Sequence, residues 1–164
     1  LLAEALDKTD MVLLTGGVSV GDYDFTIKAA EQCGVKTLFH KIKQKPGKPI
    51  FFGKKGNKLV FGLPGNPASV LTCFYLYVAP ALEKFMNVKE VINKVTVSSG
   101  SLIKKPSGIT WFLKGYYENG IVKILDAQES FRLSSFARAN CLVQVNEDQT
   151  ICNPGDPVTI HPLP

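Results

Sequence analysis

A chain of 164 residues with 45% hydrophobic content carries enough apolar side chain for one large or two small packed domains, and no repeat or low-complexity segment interrupts it. Its formal net charge is +5, yet the lysine-rich segment has no interleaved aromatics or arginines, which argues against nucleic acid as a partner. No apolar run reaches bilayer length and no secretory pattern opens the chain, so no membrane association is expected.

The chain opens on Leu1-Leu-Ala-Glu-Ala-Leu6, which has helix composition and no capping residue before it. It reads as the end of a helix that began upstream, so a piece of a longer protein is expected. A short apolar run, Met11-Val-Leu-Leu14, then suits a buried parallel strand. After it, residues 15–24 read Thr-Gly-Gly-Val-Ser-Val-Gly-Asp-Tyr-Asp, and Phe25, Ile27, Ala29, Ala30 and Cys33 mark a helix that Gly34 stops. A loop between a strand and a helix in an α/β sheet is where unpaired amides meet ligands. Gly16, Gly17 and Gly21 allow close backbone approach, Ser19 adds a hydroxyl, and Asp22 and Asp24 are two carboxylates able to hold a cation. Asp24 also suits a plain helix N-cap, and the spacing is neither Gly-x-Gly-x-x-Gly nor a Walker A loop.

Residues 35–42 read as a second strand running parallel to the first, joined by a right-handed crossover. Next comes Lys45-Pro-Gly-Lys-Pro49, where Pro46 and Gly47 demand a tight turn that aims Lys45 and Lys48 in fixed directions. Such a turn suits an oxyanion or phosphate, whereas Lys54, Lys55 and Lys58 read as a solvated hairpin tip between strands at 50–52 and 59–61. Gly62-Leu-Pro-Gly-Asn-Pro-Ala-Ser69 follows. Pro64, Gly65 and Asn66 restrict the loop, and Ser69 falls in the first turn of an apolar helix over 68–85 that Pro80 kinks. That helix is expected to be buried or shared with a partner chain.

From Asn87 the pattern turns to strands: 91–97, 109–117 and 121–125 across Glu118-Asn-Gly120, then 141–145 and 158–161, with one or two helical turns over 133–139. Cys33, Cys73, Cys141 and Cys152 form no Cys-x-x-Cys pair and read as reduced, buried thiols, which points to a cytoplasmic protein. His40 and His161 read as ordinary strand residues. The expected fold is α/β, a partial doubly wound parallel sheet over residues 1–86 followed by a small β-barrel-like domain over 87–164.

Taken in order, the glycine loop, the Lys-Pro-Gly-Lys-Pro turn and the Gly-Leu-Pro-Gly-Asn-Pro-Ala-Ser loop resemble the molybdopterin molybdenumtransferases, the MoeA and gephyrin E-domain family. Residues 128–140 and the Gly-Asp-x-Val pattern at Gly155, Asp156 and Val158 resemble that family's C-terminal β domain. The resemblance implies insertion of molybdate into adenylylated molybdopterin with Mg²⁺-dependent release of AMP. It implies that Ser19, Lys45, Lys48, Pro49 and Ser69 line the anion and pterin site, that Asp22 and Asp24 hold Mg²⁺, and that Ser130 faces the same cleft. It also implies a homodimer and a molybdopterin adenylyltransferase partner. Lys114 stands where the family usually has an arginine, which keeps the charge and loses the planar fork. Two other functions fit the sequence: a noncatalytic pterin-binding or scaffold module, and a molybdopterin adenylyltransferase, which lacks an appended β domain.

Overall fold

The computed structural model describes residues 1–18, 25–88 and 94–164. The first half comprises α1 (Leu2–Lys8), β1 (Met11–Thr15), α2 (Phe25–Gln32), β2 (Lys36–His40), β3 (Gln44–Lys45), β4 (Phe51–Lys55) and β5 (Lys58–Leu63). There follow α3 (Pro67–Cys73), a π-helical turn (Phe74–Val78) and α4 (Ala79–Phe85).

β1, β5, β4 and β2 form a sheet in that order, with β1 parallel to β5 and β4 antiparallel to both its neighbours. β2 therefore runs in the direction of β1 but lies at the opposite edge, with the β4–β5 hairpin between them. Burial accounts for this order. Phe51, Val60 and Phe61 are buried on one or other face of the hairpin, whereas Lys36, Thr37 and Leu38 of β2 are exposed, so the hairpin takes the centre and β2 the edge.

The two faces of the sheet are covered by different helices, as side-chain alternation along β5 requires. Val60 packs with Leu6, Ala30 and Val35 under α1 and α2, while Phe61 and Leu63 pack with Cys73 and Val78 under the later helices. Each of the leucine, valine and phenylalanine side chains among them contributes roughly 1.5–3 kcal/mol on burial. The apolar helix expected over 68–85 is continuous but not uniform, because Pro80 has no N–H to donate and its ring crowds the carbonyl of Leu76. The ladder widens into the π-helical turn just before it, then resumes as α4.

The second half contains β6 (Val95–Ser99), β7 (Ile103–Lys104), β8 (Thr110–Glu118), β9 (Ile121–Ile124), β10 (Cys141–Val145), β11 (Ile151–Cys152) and β12 (Pro157–Pro162). β8, β10, β12, β6 and β9 pair in a closed ring, since β10 joins β8 as well as β12 and β9 joins β6 as well as β8. Its interior is filled by Val97, Leu113, Val122, Cys141, Val143, Val145, Val158 and Ile160, alternate residues along each strand. The β8–β9 turn has Asn119 at φ 50° and Gly120 at φ 82°, the left-handed pair that a two-residue hairpin loop requires. Residues 133–139 form hydrogen-bonded turns, with Ala139 N–H to the Ser135 carbonyl at 2.9 Å, and no regular helix. The four cysteines are free, three of them buried. No helix among the described residues is long and apolar enough to cross a membrane.

One short strand crosses between the halves. β3 pairs parallel with β8, Gln44 beside Thr110 and Lys45 beside Trp111, so the lysine turn is stitched onto the barrel wall.

Candidate ligand-binding site

The site grows from the ends of strands. β1 and β5 are parallel neighbours with Thr15 opposite Leu63, so the loops that leave their carboxyl ends start side by side. Gly16 N–H donates to the Leu63 carbonyl at 2.9 Å, and a Cβ built on Gly65 would lie 3.8 Å from Gly16 Cα. Gly17 has φ 66°, and a Cβ there would meet Thr26 Oγ1 at 2.6 Å, so glycine is required twice over. Thr26 Oγ1 donates to the Gly16 carbonyl at 3.1 Å and ties the loop to α2.

The lysine turn closes on itself through Ile42 N–H to the Lys48 carbonyl at 2.9 Å and Ile50 N–H to the Gly47 carbonyl at 3.2 Å. The Lys45–Pro46 peptide is cis. Lys45 Nζ lies 4.8 Å from the centroid of the Trp111 ring, beside which β3 pairing places it. The barrel reaches the α3 loop from the other side. Ala68 N–H donates to the Ser130 carbonyl at 3.1 Å and Asn66 Nδ2 to Ser130 Oγ at 2.9 Å.

These segments enclose a cavity of about 840 Å³. Gly16, Gly17, Lys45, Gly47, Lys48, Pro49, Pro64, Gly65, Asn66, Ser69 and Ser130 all lie on its wall, so three turns far apart in sequence meet there with the barrel loop. Ser69 is buried. The wall also holds residues that sequence reasoning missed: Gln44, Ile109, Trp111, Phe112, Leu113, Gln128 and Glu129. The β3–β8 pairing brings several of them in, and only the apolar alternation of 109–117 hinted that they face anything. Trp111 Nε1 is buried and has no hydrogen-bond partner among the described residues.

Lys114 is not on this wall. It is 3% exposed, and its Nζ donates to the carbonyls of Ala127, Glu129 and Arg132 at 2.7, 3.5 and 3.3 Å. Burial pulls its pKa down from the ordinary lysine value, with the Glu129 carboxylate opposing. An ammonium held by three carbonyls is a strut beneath the loop that carries Ser130. Gln128 completes the strut, its amide bonding both the Lys114 N–H and carbonyl at 2.9 Å.

Ser19, Gly21, Asp22 and Asp24 fall outside the described residues. Among the described residues no group of three His, Cys, Asp or Glu could hold a metal, and the cavity wall offers a single carboxylate, Glu129, near Arg132 Nε at 3.6 Å. A hard divalent cation needs more oxygen ligands than that. The described wall does not fit Mg²⁺, whose assignment stands on the sequence pair Asp22 and Asp24 alone.

With two lysines, two serines, proline-restricted turns and an apolar flank, the cavity suits an anionic ligand with a flat ring system. A family model described as a probable molybdopterin binding domain matches residues 1–84. The chain belongs to that family. A second model, the MoeA C-terminal region (domain IV), matches residues 96–163. The molybdopterin molybdenumtransferase of Haemophilus influenzae is 36% identical over 97% of this chain and 41% of its own length. That of Bacillus subtilis is 31% identical over 85% of this chain and 34% of its own. A molybdopterin biosynthesis MoeA protein from Pyrococcus horikoshii superposes with a TM-score of 0.76 at 31% identity, covering 99% of this chain and 37% of that one. A molybdenum cofactor biosynthesis protein from Pyrococcus furiosus gives 0.79 at 27% identity, covering 99% and 52%. The chain thus spans about two fifths of the length of the Haemophilus relative.

Proposed function

We propose that this chain forms the oxyanion- and pterin-binding portion of a molybdopterin molybdenumtransferase, which inserts molybdate into adenylylated molybdopterin and releases AMP. The observation that carries this reading is the convergence of Lys45, Lys48, Ser69 and Ser130 on one cavity.

The substrates carry their negative charge on molybdate and phosphate oxygens. Lys48 and Lys45 supply charge-assisted hydrogen bonds to the molybdate oxygens, and the hydroxyls of Ser69 and Ser130 donate to others, so the anion is oriented as well as attracted. The apolar flank of Ile109, Trp111 and Leu113 offers a surface against which the pterin ring packs and from which water is excluded. Asp22 and Asp24 are proposed to bind Mg²⁺, which when bound supplies charge neutralisation on the phosphate bridge.

The barrel's match to the MoeA C-terminal region favours this activity over a molybdopterin adenylyltransferase, which lacks such a domain. The domain boundary is proposed near residue 87. A homodimer is proposed from the exposed Phe85, Met86 and Val88 at the end of the apolar helix and just beyond it, and a cytoplasmic location from the free thiols. The test is AMP release by the full-length protein given adenylylated molybdopterin, molybdate and Mg²⁺. AMP formed in step with molybdate consumption is expected. A folded protein that binds the pterin nucleotide without releasing AMP would leave the noncatalytic scaffold reading instead.

A further inference from the structure

A second cavity of about 820 Å³ lies beyond the lysine turn, and Gln44 is part of the wall of both. Gln44 is 3% exposed and every polar atom of its side chain is engaged. Tyr77 Oη donates to Gln44 Oε1. Gln44 Nε2 donates to the Pro46 carbonyl at 2.9 Å and has Cys73 Sγ 3.7 Å away, and Cys73 Sγ faces the Gly47 carbonyl at 3.8 Å.

The direction of these bonds is determined. Burial pushes both Tyr77 and Cys73 up to about 12, the Cys73 sulfur adding to the shift on Tyr77, so both keep their protons at neutral pH. The Pro46 carbonyl can only accept, so Nε2 is the atom that faces the turn, and Oε1 is left to accept from the protonated Tyr77 hydroxyl. The turn rests directly on this floor: a Cβ on Gly47 would come within 2.4 Å of Cys73 Sγ and 2.7 Å of Gln44 Nε2. Tyr77 itself comes from the π-helical turn, whose wider ring departs from the α-helical register on either side of it.

We infer that Gln44, held by Tyr77, is a positioning residue that sets the aim of Lys45 and Lys48 and so the affinity of the site for its oxyanion. The inference rests on the reading that these lysines bind molybdate. Gln44 acts through the turn: its amide fixes the Pro46 carbonyl between the two lysines, and fixed donors bind an anion without the cost of ordering them first. Removal of the amide leaves that carbonyl without its donor and lets the turn drift.

The experiment measures equilibrium binding of molybdate alone, and separately of adenylylated molybdopterin, to the full-length protein and its Gln44→Met, Tyr77→Phe and Lys48→Ala variants. Gln44→Met and Tyr77→Phe are each expected to weaken molybdate binding by about 5- to 20-fold, the range that one lost buried hydrogen bond spans, while changing nucleotide binding by less than about twofold. In the Lys48→Ala background, Gln44→Met should cost little more, because the group it aims is gone. Tyr77→Phe removes a single oxygen and serves if Gln44→Met fails to fold. Equal losses for both ligands, or fully additive losses with Lys48→Ala, would mean a merely structural role and overturn the inference. Unchanged molybdate binding in Lys48→Ala itself would remove the underlying oxyanion reading, and the positioning role with it. A loss in Lys48→Ala alone, with none in Gln44→Met or Tyr77→Phe, would overturn only the positioning role.

Discussion

Asn66 and Ser130, 64 positions apart in the chain, are joined by a hydrogen bond of 2.9 Å from the Asn66 side-chain amide to the Ser130 hydroxyl. The Ala68 N–H to the Ser130 carbonyl, at 3.1 Å, makes the same junction a second time. The α3 loop belongs to the sheet and the Ser130 loop to the barrel, so this pair holds the cavity's two walls at one spacing. Ser130→Ala keeps the backbone bond and removes the other. It should lower stability by no more than about 1 kcal/mol, since the site is exposed to water, yet weaken molybdate binding measurably. Urea unfolding beside isothermal titration separates the two effects.

Lys114 should act on the same loop from below. With Lys114→Met, three part-buried carbonyls lose their shared donor, and a cost of about 2 kcal/mol is expected. The loop over 126–132 should become the first site cut in limited proteolysis. Cleavage there at the wild-type rate, with stability unchanged, would rule out the strut.

His161 makes stability depend on pH. Its Nε2 donates to Gln144 Oε1 at 2.8 Å, its ring packs edge-on to Phe112, and burial, aided by Lys94, lowers its pKa from 6.5 to about 4. The unfolded chain therefore takes up a proton near 6.5 that the folded chain refuses until about 4. The stabilisation is complete above pH 6.5 and is lost as pH falls through that window to about 4, by about 2 kcal/mol after allowance for screening by water in the adjoining cavity. Melting temperatures measured across that range should fall in the wild type and flatten in His161→Gln.

Trp111 is the one tryptophan of the chain, and Lys45 sits over its ring. Molybdate that draws the Lys45 ammonium toward the cavity should change the indole emission. In Lys45→Ala the change should largely vanish while weaker binding remains detectable by calorimetry. An identical emission change in that variant would detach Lys45 from the anion.

Asp24→Ala in the full-length protein should reduce AMP release by more than it reduces pterin binding, because a metal ligand serves the chemical step more than docking. Single-turnover AMP release compared with equilibrium nucleotide binding checks this, and equal losses would count against the metal role.

What the sequence made legible was what local chemistry encodes. Asn119-Gly120 demanded a hairpin, Pro80 a disturbed helix, and the glycines and prolines around Lys45, Lys48 and Ser69 marked turns because only such residues adopt them. Long-range pairing left no such mark. β3 is two residues long, too short for any periodic signal, yet its pairing with β8 brings Trp111 and Phe112 to the cavity and makes Gln44 its floor. Lys114 shows the other limit. Its charge could be read in one dimension, but its direction depends on the loop that folds over it, and the ammonium turns inward to carbonyls 13 to 18 positions away.

The central claim is that separate turns build one oxyanion site. Molybdenum anomalous diffraction from crystals of the full-length protein grown with molybdate tests it most directly. A peak within the cavity, in contact with Lys48, Ser69 and Ser130, is the predicted result. Molybdenum bound elsewhere on the protein, with this cavity empty, would contradict it.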